Sequence, residues 1–66
     1  MTITINGDVV ELGSGATVEQ AVVRVTEAGA GVAVAVNDAV VPRGEWSSTR
    51  LRPDDRVEVL TAVQGG

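Results

Sequence analysis

Apolar and polar residues alternate from the start of the chain. Ile3 and Ile5 interleave with Thr2 and Thr4, and Asn6-Gly7 follows. Asn-Gly supplies the positive φ that a type I′ hairpin turn needs at both central positions. A two-residue loop there pairs Ile3 with Val10 and Met1 with Leu12. All four apolar side chains then share a face, so residues 1–12 are predicted as a β-hairpin. After a Gly13-Ser14-Gly15 loop the period changes: Val18, Ala21, Val22, Val25 and Ala28 recur at helical spacing. Thr17, with Gln20 three residues later, forms a capping box at the helix start. Gly29 and Gly31 are placed to end the helix. Its valines lower intrinsic helix propensity, and burial of the apolar stripe outweighs that loss.

The stretch Val32 to Val36 has Val on one face and Ala on the other, with no polar residue. It reads as a strand inside the sheet, covered on one side by the helix. Asn37-Asp38 is a turn, and Ala39-Val40-Val41 is a short strand stopped by Pro42. Glu45 to Thr49 is predicted as one short helical turn, Pro53-Asp54-Asp55 as a turn, and Arg56 to Val63 as the last strand. The order is β-β-α-β-β-β. That is an α+β fold, a mixed sheet of about five strands packed on one helix. Parallel pairing of the first and last strands at the sheet centre makes it the β-grasp, or ubiquitin-like, layout. Residues 1–63 form the domain, and residues 64–66 form a flexible tail beyond the last strand.

Sixty-six residues make one small domain, and a domain of that size is expected to be marginally stable. Without cysteine there is neither a disulfide nor a thiolate metal site to reinforce it. No long apolar run and no charged-then-apolar leader is present, so neither a membrane span nor a signal peptide is expected, and the chain reads as cytoplasmic. A net charge of −4 argues against nucleic acid. Trp46 is the sole aromatic residue, so there is no base-stacking platform either.

The absences bear most on function. There is no Cys, no His and no Lys, and all five basic residues are Arg. The common nucleophiles and the neutral-pH base are therefore missing, and Ser and Thr have no imidazole to activate them. No pair of carboxylates sits in an apolar context that would shift a pKa. The chain is not expected to be an enzyme. The missing lysines fit a compositional bias toward Val, Ala, Gly and Arg. They also suit a chain whose carboxyl terminus becomes activated and must not meet its own amines.

The sequence ends on Gly65-Gly66, a backbone carboxylate on a stem without side chains. Several stretches together resemble the ThiS family, the sulfur carriers of thiamine biosynthesis. They are Ile5-Asn6-Gly7, Ala16-Thr17-Val18, the run from Gly31 to Asn37, Val41-Pro42-Arg43-Gly44-Glu45-Trp46, and Leu51, Asp55, Val57, Glu58 and Val59 ahead of the terminal Gly-Gly. The likeness runs in order along essentially the whole chain. Two positions depart from the family pattern: Asp54 where Gly often precedes Asp in the last turn, and Gln64 where Gly often precedes the terminal pair.

The resemblance implies that a ubiquitin-activating-like adenylyltransferase joins the Gly66 carboxylate to AMP from ATP. A persulfide supplied by a cysteine desulfurase then converts the acyl adenylate to a thiocarboxylate, and thiazole synthase takes the sulfur. No cofactor is bound by the carrier itself. Gly66 is the covalent site, and Gly65, Gln64 and Val63 are read by any enzyme that admits the tail. Trp46 is either a contact for partner enzymes or the cap on one end of a small core. Arg43, with Arg50, Arg52 and Arg56, either docks acidic partner patches or forms a solvated face. Glu58 is placed to pair with a partner arginine. Three other readings stay open at this stage: a carrier for molybdopterin or another sulfur pathway, a ubiquitin-like protein modifier, and a non-covalent β-grasp binding module.

Overall fold

A computed structural model describes residues 1–26 and 31–61. Glu27, Ala28 and Gly29 of the predicted helix and its end, and the stretch from Ala62 to Gly66, lie outside the described residues.

The opening hairpin forms as its pattern requires. β1 (Thr2–Ile5) pairs antiparallel with β2 (Asp8–Glu11), with Ile3 opposite Val10. Asn6 and Gly7 take φ of 52° and 85°, the two positive values of the tight turn. Ile3 and Ile5 are buried, and Met1, Val10 and Leu12 pack against the core.

α1 (Val18–Val25) starts at the capping box: the Gln20 backbone N–H donates to the Thr17 hydroxyl, and Thr17 N–H donates to the Gln20 side-chain carbonyl at 2.8 Å. The first-turn amides that no helix can satisfy internally also find partners. Val18 N–H donates to Thr49 C=O at 2.9 Å and Glu19 N–H to Trp46 C=O at 3.1 Å. The helix N-terminus is thus bonded to the segment after the fourth strand.

Val18, Ala21 and Val22 are buried, but Val25 is 47% exposed. The helix ends earlier than the glycines suggest. Thr26 is already extended, at φ −148° and ψ 147°. A run of β-branched residues, Val22, Val23, Val25 and Thr26, restricts χ1 against the preceding turn and weakens the helix there.

β3 (Val32–Val36), β4 (Ala39–Val41) and β5 (Arg56–Thr61) complete a five-stranded sheet in the order β2-β1-β5-β3-β4. β5 lies at its centre, parallel to β1 through Thr4–Arg56 and Ile5–Val57, and antiparallel to β3 from Val36–Val57 to Val32–Thr61. This is the β-grasp arrangement. Ile3, Ile5, Val34, Val57 and Val59 on one sheet face meet Val18, Ala21 and Val22 of the helix, and Trp46 and Leu51 complete the same core.

The connection after β4 contains the turn expected over Glu45 to Thr49, closed by Thr49 N–H to Glu45 C=O at 2.9 Å. It is preceded by a 3₁₀ helix at Arg43–Glu45 that was not predicted, with Pro42 at its N-cap at φ −60°. Proline presets that backbone angle and needs no amide partner, so the turn starts there. Hydrogen bonds from Ser48 and Thr49 N–H to Glu45 C=O then carry the chain onward.

Asp54 takes φ of 70° in the turn before β5, a left-handed conformation. Its departure from the family's glycine therefore costs backbone strain. Asp54→Gly is expected to stabilise the domain by about 0.5 kcal/mol, the relief of strain exceeding the added freedom of the unfolded chain. For a domain of this size that raises Tm by about 3 °C, measurable by thermal unfolding.

Candidate functional site

The C-terminal segment leaves from the end of β5, so what fixes β5 fixes the exit. On one side β3 pairs with β5 as far as Thr61. On the other side β1 stops at Ile5, and Asn6 takes over. Its backbone N–H donates to Val57 C=O at 2.9 Å. Its side-chain amide then does what the next residue of a strand would do: Val59 N–H donates to Asn6 Oδ1 at 2.8 Å, and Asn6 Nδ2 donates to Val59 C=O at 3.1 Å. Beyond Asn6, Thr61 turns its backbone N–H and C=O to the same side by the alternation of the strand.

A second asparagine does the same at the start of β5. Asn37, at φ 49° in the β3–β4 turn, accepts from Arg56 N–H at 3.0 Å and donates through its own N–H to Arg56 C=O at 2.8 Å. Its Nδ2 donates to Asp55 Oδ1, and Asp55 Oδ2 accepts from Arg52 N–H at 2.7 Å. Asp38 next to it pairs with Arg56 at 2.6 Å, which holds the guanidinium above its already high pKa chiefly through that hydrogen bond. Arg56 therefore has its counterion within the chain. Both asparagines are predicted only as turn formers, and no local signal marks the second role, because the backbone each side chain meets lies 19 residues away for Asn37 and 53 for Asn6.

The outer face of the sheet, opposite the helix, adjoins the exit. Across it Val40, Ala35 and Glu58 stand side by side, and Ala33 stands beside Leu60. The two alanines are short and leave a hollow of about 180 Å3 between the taller Val40, Leu60, Glu58 and Asn6. Leu60 is 69% and Val40 75% exposed.

The predicted contact residues do not form one patch. Glu58 is exposed on the outer face between buried Val57 and Val59. Trp46 belongs to the core on the helix side, 5% exposed, and its indole N–H donates to Val41 C=O at 2.9 Å. The Arg43 guanidinium lies over the ring, 5.7 Å from its centroid. Arg43, and not the buried indole, is what that surface exposes. Val63, Gln64, Gly65 and Gly66 lie outside the described residues. Among the described residues no group of three or more carboxylate, His or Cys side chains could hold a metal ion, and no helix is long and apolar enough to cross a membrane.

The family model of the ThiS family matches residues 3–66. The sulfur carrier protein ThiS of Escherichia coli (strain K12) is 27% identical over 66 residues, the whole of both chains. A crystal structure of the thiamine biosynthesis protein ThiS from Geobacter metallireducens is similar with a TM-score of 0.78 at 27% identity, again over all of both chains. A solution structure of a thiamine biosynthesis protein from the same organism gives a TM-score of 0.77 at 28% identity, covering all of this chain and 88% of that one.

Removing the Asn6 clasp should loosen the exit first. Asn6→Ala leaves the Val59 N–H and C=O without partners, a loss of about 2 kcal/mol. Asn6→Asp keeps the acceptor for Val59 N–H and loses the donor, so it should fall between. Amide hydrogen exchange at Val59 and urea unfolding check the order.

Proposed function

The chain belongs to the ThiS family, and on that footing we propose that it is a sulfur carrier for thiamine biosynthesis whose working group is the backbone carboxylate of Gly66. It is a carrier and not an enzyme. The observation that supports the assignment of Gly66 is that the family match continues through residue 66, on a fold whose central strand runs toward that end of the chain.

The chemistry follows from the residue types. A free α-carboxylate has a pKa near ~3.5, so it is ionised at neutral pH and can attack the α-phosphate of ATP held by an adenylyltransferase. Carboxylate oxygen and phosphorus form a bond, pyrophosphate leaves, and the carbonyl carbon becomes electrophilic. A persulfide, with a cysteine desulfurase as its source, displaces AMP. Reductive cleavage of the S–S bond by a thiol then leaves the thiocarboxylate that thiazole synthase consumes. Sulfur rests on a backbone carbonyl, so a chain without cysteine can carry it. Glycine at 65 and 66 offers no Cβ to obstruct a narrow channel, and Gln64 and Val63 are the first side chains such a channel would meet.

The hollow on the outer face is the docking surface in this reading. It is apolar, exposed and beside the strand exit, with Glu58 at its rim to select a basic residue on the adenylyltransferase or on thiazole synthase. Trp46 acts on docking through the placement of Arg43. The cytoplasm, where these partners work, is the expected location.

Incubation with ATP, a cysteine desulfurase, a thiol and the cognate adenylyltransferase should replace one oxygen by sulfur at Gly66, read by intact mass. Deletion of Gly66, or an uncleaved extension beyond it, should abolish the change. Gly-Gly remnants on lysines of other proteins would instead mark a protein modifier. Leu60→Asp changes an exposed side chain and should leave the fold intact within about 0.5 kcal/mol. It should lower kcat/KM for adenylation roughly tenfold, the effect of losing one interface anchor.

A further inference from the structure

The sequence contains no lysine, and the primary amine that the structure shows is the ammonium of Met1. It is held by two neighbours: its nitrogen donates to Leu12 C=O at 2.6 Å and pairs with Glu11 Oε2 at 2.9 Å. The other oxygen of Glu11 is braced by the Thr2 hydroxyl, which donates at 2.7 Å, and Leu12 N–H returns a bond to Met1 C=O. The Met1 side chain is 6% exposed and packs against the core. The hairpin therefore closes on its own first residue.

We propose that this clasp protects the amine from acylation by the activated carboxyl terminus of the same kind of chain. The inference rests on the carrier reading for its biological purpose, and the clasp itself does not. An acyl adenylate is a mixed anhydride, and any free amine opens it. The nitrogen lone pair attacks the carbonyl carbon, the C–O bond to phosphate breaks, AMP departs with that electron pair, and the nitrogen gives a proton to solvent. The product is an amide, from which sulfur can no longer be loaded. An ammonium whose hydrogens are given to Glu11 and Leu12 has no lone pair to offer. Hydrogen bonding from that ammonium also holds the Glu11 carboxyl below the usual carboxylate range, with Thr2 adding to the effect. The carboxylate half of the pair is therefore charged at neutral pH and is lost only as the pH falls through that lowered value.

The fold adds a second barrier. β1 and β5 are parallel, and Thr2 C=O accepts from Asp54 N–H at 2.7 Å. Met1 therefore sits beside the turn that precedes β5. From Asp54 to Thr61 the strand advances about 23 Å, whereas the five residues after Thr61 span at most about 18 Å. The Gly66 carbonyl cannot return to the amine of its own molecule. Attack from a second molecule is the route left, and the clasp closes it.

The absence of lysine makes the test clean, because stable N-acylation reports on Met1 alone once hydroxylamine has removed hydroxyl esters. Chain with Met1 retained, verified by intact mass, is treated near neutral pH with the N-hydroxysuccinimide ester of acetic acid. Folded wild type should be acylated about tenfold more slowly than wild type in denaturing urea, the factor of one charge-assisted hydrogen bond. Glu11→Gln and Thr2→Val should lie between. Equal rates for folded and unfolded wild type would overturn the proposal without reference to any variant. In a second arm the adenylyltransferase and ATP are supplied without a sulfur source. Glu11→Gln should then accumulate amide-linked dimers several-fold faster than wild type, and equal yields at equal adenylation would count against the clasp. If neither chain is adenylated, the carrier reading has failed, while the chemical arm still decides the protection.

Discussion

The backbone of β5 has to be hydrogen-bonded on both sides, and the rest of the molecule is arranged to meet that demand. β3 serves one side along most of the strand, but β1 is parallel and overlaps β5 only near its start. An isolated buried amide or carbonyl is costly, and the protein meets the shortfall with side chains. Asn6 extends the β1 side to Val59, and Asn37 extends the β3 side to Arg56. Both sit in hairpin turns at positive φ, where Asn is tolerated. The two turns that fold the hairpins over thus also close the sheet around its central strand.

The second dependency joins the helix to the loop after β4. A chain of 66 residues without disulfide has little core to spare, and the helix is short. Its first-turn amides bond to Thr49 and Trp46 carbonyls, and Trp46 in turn fills the core and bonds Val41. The helix, the 3₁₀ turn and β4 therefore hold one another. A break in any of these links leaves polar groups exposed in the core as well as apolar ones, which is why the single tryptophan is buried in a protein otherwise built from small aliphatic residues.

Much of this is legible in the sequence because the signals are local. Asn-Gly between alternating runs fixed the hairpin register, and Thr17 with Gln20 marked the helix start within a residue. The Val/Ala alternation placed β3 inside the sheet. What could not be read depends on distant partners or on small balances. The end of the helix at Val25 reflects β-branched crowding against a stripe of apolar spacing, two local tendencies that oppose each other. The asparagine clasps require knowing that β1 is too short for β5, a fact about two strands fifty residues apart. The hollow on the outer face follows from Ala33 and Ala35 having Val40, Glu58 and Leu60 as cross-strand neighbours, and only the register supplies that. The proposed covalent site is the reverse case: Gly66 stands out by elimination and by family likeness, with no geometry needed.

The parallel pairing of β1 with β5 has a mechanical consequence. It sets the first residue and the exit of the last strand at opposite poles, so a pull on the C-terminal end, resisted at the body, runs along the strands. The hydrogen bonds on either side of β5 cross that direction and share the load in shear, where a hairpin end would be peeled open one bond at a time. The two asparagine amides are part of that shared load. A pull on the chain's end therefore acts on a body whose paired strands lie in line with the force.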